Sequence, residues 1–307
     1  MHDPAVLVWL DAQANRKGHP NENLSRELME LFTLGVGHFA ESDVKEAARA
    51  LTGWTVAGDH FREESSLHDT GEKTILGHKG SWKGDDLIRI LLEQPATAKR
   101  LAQRLCELFM GEGAVNAADI HALAAGLRER DSDIGWAVER ILRSQAFFDD
   151  SNLGTRILGP VEYVVASARA LELFDPPPNT LVLAEFAANL GQDLFHPPNV
   201  GGWPGGRSWI TTRSAIGRYN FALALVGGDE VGRGDPLDVF ALAEHHGCGG
   251  DLKRIVAFYA DLLLGGLPSL VWQERILSAL DPRAAANPKT SRQAVALILA
   301  SPEGQLG

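Results

Sequence analysis

The sequence predicts an all-α fold, a multi-helix orthogonal bundle with a small β-hairpin or loop insertion near residues 55–82. Two observations lead there. Apolar residues recur at three- and four-residue spacing along most of the chain, the period of helices with one buried face. That spacing lapses between Trp54 and Trp82, where glycine and polar residues gather, and a hairpin or ordered loop is expected.

Pro4 to Ala14 reads as a short apolar helix. Glu22 to Leu34 is a second, stopped at Gly35 and Gly37, since glycine readily takes the left-handed geometry that closes a helix. At about 100° per residue, Leu24, Leu28, Leu31, Phe32 and Leu34 share one face. Glu27 falls between Leu31 and Leu34 on that face, and Glu22, Arg26 and Glu30 lie opposite. Asp43 to Leu51 is a third helix, N-capped by Ser42 or Asp43, with a mostly small apolar face of Val44, Ala47, Ala48 and Leu51 that permits close packing. After the insertion come Asp85–Glu93, Ala96–Met110, Ala117–Arg130, Ile134–Ser144 and Pro160–Leu173. DPPPNT at 175–180 is a stiff break. It divides an expected helical domain, 1–175, from a C-terminal helical region, 181–307, which pack separately or as one. Leu181–Leu190, the loop FHPPNVGGWPGGRSW, Thr212–Val226, a second break at GGDEVGRGDP and three or four further helices complete the chain.

Composition removes several classes. The formal net charge of the 307 residues is −11, which repels phosphate backbones, so nucleic acid is not an expected partner. Cys106 and Cys248, the only cysteines, provide neither a disulfide framework nor a cysteine zinc site, although one bridge between them stays open. No run of about 18 apolar residues offers a transmembrane segment, and the N-terminus lacks the basic region of a signal peptide. No Walker box, dinucleotide fingerprint, HExxH or nucleophile elbow is present. Metal and cofactor are left unassigned.

Three constellations carry candidate chemistry. Glu27 among leucines must find a partner or rise in pKa. Either makes it a candidate acid/base, with Glu30 beside it, or else a buried counter-ion that fixes helix packing. In HDTGEKTILGH, His68 and Asp69 suit proton transfer or, with His78, metal ligation. The alternative is a hairpin in which Asp69 bonds its own turn amides. In HPPNVGGWPGGRSW, Trp203 and Trp209 form a platform for a sugar ring or an aliphatic ligand, or else staple the loop to the core.

PNENLSRELMELFTLGVGHFAESDVKEAARALTGW resembles the signature blocks of a bacterial family, the domain of unknown function DUF1800. HDTGEKTILG, PATAKRLAQRLCELF, GPVEYVVASARAL, LGQDLFHPPNVGGWPGG and LASPEGQ resemble its later blocks, so the resemblance covers essentially the whole chain. It departs where relatives carry lysine and this chain has Leu158 and Gly201, which removes two basic contacts. The resemblance implies that Glu22, Asn23, Arg26, Glu27, His68, Asp69, Lys73, Asn199 and Trp203 matter. It also implies that the chain is the C-terminal two thirds of a longer form, in contact with a preceding region. For full-length relatives it implies export or a periplasmic location beside a sulfatase-like protein partner.

Three readings follow. An enzyme would use Glu27 or Glu30 with His68 and Asp69, bind an anionic group through Arg26 or Lys73, and wall the cleft with Trp203. A binding protein would keep that pocket for a carbohydrate or anionic ligand, built by the 20–37 helix, the 68–78 hairpin and the 196–209 loop. A structural or interaction protein would use the same charges to fix helix packing.

Overall fold

Every helix expected from apolar spacing forms, with ends moved by a few residues. The computed structural model describes residues 1–266, 268–280 and 285–307, which divide into two units, Met1–Phe148 and Asp149–Gly307.

The first unit begins with α1 (Pro4–Trp9), capped by the Asp3 carboxylate. Next comes α2 (Asn23–Glu27), which runs directly into a π turn over Leu28–Thr33. α3 spans Glu41–Ala50. The insertion then folds as two antiparallel hairpins, β1 (Trp54–Ala57) with β2 (His60–Glu63), and β3 (Lys73–Ile75) with β4 (His78–Gly80). The helices α4 (Gly84–Glu93), α5 (Pro95–Met110), α6 (Ala117–Glu129) and α7 (Ile134–Leu142) follow. Two apolar clusters hold the unit together. One joins Leu7, Leu24, Leu28, Ala47, Leu51, Trp54 and Leu87, and the other joins Ala98, Ala102, Cys106, Leu127 and Ile141. Both cysteines are free thiols, so no bridge forms. Burial raises the pKa of the Cys106 thiol.

The π turn corrects the helical wheel. Leu34 and Gly35 both donate backbone N–H to the Met29 carbonyl, at 2.9 and 3.0 Å, and the Thr33 hydroxyl donates to the Leu28 carbonyl at 2.6 Å. A wider turn lengthens the apolar repeat. Leu24, Met29 and Leu34 are therefore buried at five-residue spacing, as are Leu28 and Thr33. Phe32, expected inside, is 44% exposed. Gly35 ends the segment at φ +86°, where a side chain would be strained.

α3 is tied to the β3–β4 hairpin by charge. Ser42 does not cap it. Asp43 accepts from the Ala40 N–H at 2.9 Å with one oxygen and from the Leu76 N–H at 2.8 Å with the other. Arg49 forks to the Asp69 carboxylate, Nε to Oδ2 at 2.8 Å and Nη2 to Oδ1 at 3.3 Å, and its Nη1 reaches both oxygens of Glu46. Glu46 in turn accepts from the Thr74 N–H at 3.1 Å. Gly53, at φ +87°, closes the corner after α3, where an added Cβ would lie 2.6 Å from the Glu64 carbonyl oxygen. Only glycine fits such an approach.

The second unit is helical: α8 (Pro160–Ala170), α9 (Thr180–Asn189), α10 (Thr212–Gly227), α11 (Val239–His245), α12 (Leu252–Leu264), α13 (Leu270–Ala279) and α14 (Pro288–Ala300). Its core gathers Tyr163, Phe221, Tyr259, Trp272 and Ile298. The 175–180 run lies inside this unit, between α8 and α9, because Tyr163 and Val164 of α8 share that core. Arg218, 1% exposed, has no carboxylate partner among the described residues. It donates to the Leu158 carbonyl at 2.6 Å and the Gln305 amide oxygen at 3.0 Å, beneath the Tyr163 ring. Among the described residues no helix is long and apolar enough to cross a membrane.

The Arg49 fork holds the Asp69 carboxyl at about 2, below its ordinary 3.8. Stabilisation from such a depressed acid is complete above about pH 4 and is lost as pH falls toward 2. Asp69→Asn keeps an acceptor for the Gly71 amide and removes only the charge. It should cost about 1–2 kcal/mol at pH 7 in urea unfolding, with the gap to wild type closing between pH 4 and pH 2. A gap independent of pH would contradict the assignment.

Candidate functional site

The three walls of the expected pocket fall in different units. The 20–37 segment and the 68–78 hairpin belong to the first, and the 196–209 loop belongs to the second.

In the first unit most candidate charges already have partners. Arg26 donates to both oxygens of Glu41 at 2.9 and 2.7 Å and to Glu22 at 3.1 Å. Glu41, the first residue of α3, is thus the second partner beside Glu22, and these carboxylates raise the Arg26 pKa. Asn23 donates to Asp11 at 3.2 Å, and its own N–H is held by Asn21. Lys73 is 1% exposed. Its ammonium donates to the carbonyls of Asp69 and Gly71 at 2.5 and 2.9 Å, clamping the turn, and burial lowers its pKa. Asp69 accepts the Gly71 N–H at 2.8 Å, as the turn reading expects.

His68 is buried, and its Nδ1 lies 2.9 Å from the Thr52 carbonyl. With Nδ1–H as the donor, Nε2 is left as the acceptor. Thr52 sets this orientation, because the Asp69 carboxylate is held by Arg49 and only the Asp69 backbone N–H reaches Thr52 Oγ1, at 2.8 Å. Thr52, Arg49 and Glu46 lie in EAARALTGW and were missed as second partners of the hairpin. Their i, i+3, i+6 spacing along the end of α3 and the turn after it was the available signal. Among the described residues no group of three or more His, Cys, Asp or Glu side chains could hold a metal ion.

Glu27 differs from its neighbours. It is half-buried, and its carboxyl has no hydrogen bond or ion pair among the described residues. Burial first, and the Glu30 carboxylate second, raise its pKa, while Arg26 opposes them. A raised carboxyl beside a π turn suits proton transfer. No hydrogen bond joins Glu27 or Glu30 to His68 among the described residues.

The second unit builds a cavity of about 270 Å³ from the end of α9, the 196–209 loop and the first turn of α10. Asn199 shapes the loop, its side chain accepting the Gly201 N–H at 2.8 Å. Asn199 itself stays outside the lining. Pro198, Trp203, Pro204 and Trp209 form apolar walls, and Asn189, Ser208, Thr211 and Arg213 supply polar groups. The Trp209 carbonyl accepts the Ser214 hydroxyl at 2.7 Å, and Thr211 caps α10 through the Ser214 N–H at 3.1 Å. These bonds fix the second indole relative to the helix. Among the described residues the lining contains no carboxylate and no imidazole. Sequence reasoning found the indoles and missed Arg213. A cation in the first turn opposes the helix dipole, and that mismatch was the readable sign.

Glu27 carries a prediction of opposite sign to a counter-ion. An acid whose pKa is raised by folding stabilises below its unfolded pKa and loses that contribution as pH rises through the folded value. Glu27→Gln should therefore melt level with wild type or about 1–2 °C above it at pH 7, and the two should converge near pH 4. A clearly lower melting temperature at pH 7 would mean that Glu27 holds a partner charge.

No curated protein and no solved structure matches the chain. Residues 1–306 match the family described as protein of unknown function (DUF1800). That match takes in the α2–π segment, the hairpins and the tryptophan loop alike. The chain belongs to the DUF1800 family.

Proposed function

We propose that this protein binds a small cyclic polyol, a single sugar-like ring, in the cavity walled by Trp203 and Trp209. The observation that carries the reading is the composition of that cavity, whose lining combines two indoles with hydroxyl, amide and guanidinium groups. A pyranose presents C–H faces to an indole and hydroxyl edges to donors and acceptors, and this lining offers both. Its volume, about 270 Å³, lies just below the range of roughly 300–1,000 Å³ usual for small-molecule sites, which suits one ring better than a chain. Glycoside hydrolysis ordinarily needs a pair of carboxyl groups flanking the bond, and this lining has none, so binding is favoured over hydrolysis there.

A second reading concerns the first unit. Arg26, Arg49, Asp69 and Lys73 are all engaged with protein groups, which favours a scaffolding role for them over ligand contact.

Thermal-shift titration against a panel of monosaccharides and cyclic polyols tests the proposal. A binder at about 100 times its Kd should stabilise the ligand-binding state by about 2.7 kcal/mol, a rise of several degrees. The rise should vanish in Trp203→Ala and persist in Glu27→Gln. A flat response across the panel, or a rise unchanged in Trp203→Ala, would refute it.

A further inference from the structure

A second depression lies wholly within the first unit, about 520 Å³ between the start of α5, one face of α6 and the segment after the π turn. Its charge is one-sided. Lys99 from α5, His121 and Arg128 from α6, and His38 from the segment line it, and among the described residues no carboxylate does. None of these four side chains makes a hydrogen bond or ion pair among the described residues. Two acids of α6 have partners of their own: Asp119 accepts from Asn116 at 2.8 Å, and Glu129 pairs with Arg130 at 3.2 Å. In a chain of net charge −11, unpaired cations gathered around one cleft are not what a random surface gives, because nearby carboxylates would ordinarily neutralise them.

The geometry of α6 explains how the cleft stays open. His121, Ala124, Ala125 and Arg128 lie at i, i+3, i+4 and i+7, one stripe of the helix. The two cationic or imidazole side chains stand two turns apart, roughly 10 Å along the axis, with only methyl groups between them. The facing helix, α5, has no acidic residue in its first turn, although that is the position at which a carboxylate is most favourable.

We infer that this cleft binds a small organic anion through a phosphate or sulfate ester group. Lys99 and Arg128 supply the charge, His38 and His121 supply further N–H donors, and Ala124 and Ala125 form the floor beneath the organic part. Tetrahedral oxyanions match several donors converging from different elements better than a single planar carboxylate does. The cleft is also far larger than an inorganic ion, whose own volume is on the order of tens of Å³, comparable to that of a water molecule. The site is independent of the tryptophan cavity, since the two share no residue.

Calorimetric titration of the full chain tests the assignment with phenyl phosphate, phenyl sulfate, inorganic phosphate and phenol at fixed, low ionic strength. One or both esters should bind, inorganic phosphate more weakly, and phenol not at all. The stronger ester identifies which source the site prefers. Lys99→Gln and Arg128→Gln are exposed substitutions and should leave the melting temperature of the free protein unchanged while weakening ester binding at least tenfold. Trp203→Ala should leave it unchanged. Absence of ester binding, equal binding of phenol, or a loss in Trp203→Ala with none in the two glutamine variants would overturn the inference.

Discussion

The fork from Arg49 to Asp69 and Glu46 is the constraint on which the polar side of the first unit depends. It joins α3 to a turn 20 residues further along the chain, Nε to Oδ2 at 2.8 Å. With Asp69 fixed, its backbone N–H reaches the Thr52 hydroxyl and its carbonyl receives the Lys73 ammonium. Thr52 then orients the His68 ring. Glu46 extends the same network to β3 through Thr74, and Asp43 reaches Leu76 beyond it. A lysine buried to 1% is tolerable because two carbonyls meet it, as buried charge must be met. The residues that look most chemical in EAARALTGW and HDTGEK thus satisfy one another, and the hairpin is positioned by hydrogen bonds more than by its own short strands, which would be marginal alone.

Charge is distributed unevenly over this acidic chain. Arg26 and Arg49 each face two carboxylates, and Arg218 is buried against carbonyl and amide oxygens. Lys99, Arg128 and Arg213 are left facing open cavities. The two proposed sites draw on the second group, since an ion pair already made must be broken before a ligand can use either partner. The two cavities also differ in kind. One offers indole walls and hydroxyls, and the other offers positive charge over a methyl floor.

Much of the fold was legible in the sequence, because amphipathic spacing fixes a helix wherever the period is regular. The hairpin insertion was visible for the converse reason, a loss of period between Trp54 and Trp82. The π turn was not. Leucines at 24, 28, 31 and 34 fit an ordinary helix equally well, and only the Met29 carbonyl taking two donors decides otherwise. Glu27 was found from its place among leucines, and it is half-buried with a raised pKa, although the face it was assigned assumed a regular helix. Arg26 and Lys73 were singled out by type, but their partners Glu41 and the 69–71 carbonyls come from tertiary packing that no local pattern encodes. Trp203 and Trp209 were read as a ligand platform or a staple of their loop, and both line the cavity beside it. Lys99 and Arg128 went unnoticed because nothing in the local pattern of α5 or α6 sets them apart, and only the fold brings them to one cavity.

The central claim is that the second unit holds a ring ligand between two particular indoles. Indole N–H resonances report it directly, since the chain has seven tryptophans and each gives its own signal. On titration with the best monosaccharide or cyclic polyol, the signals of Trp203 and Trp209 should move together and saturate on one binding curve, while those of Trp9, Trp54, Trp82, Trp136 and Trp272 stay in place. Shifts confined to the other five, or no shift at any concentration up to the tens of millimolar that weak sugar sites require, would contradict the account.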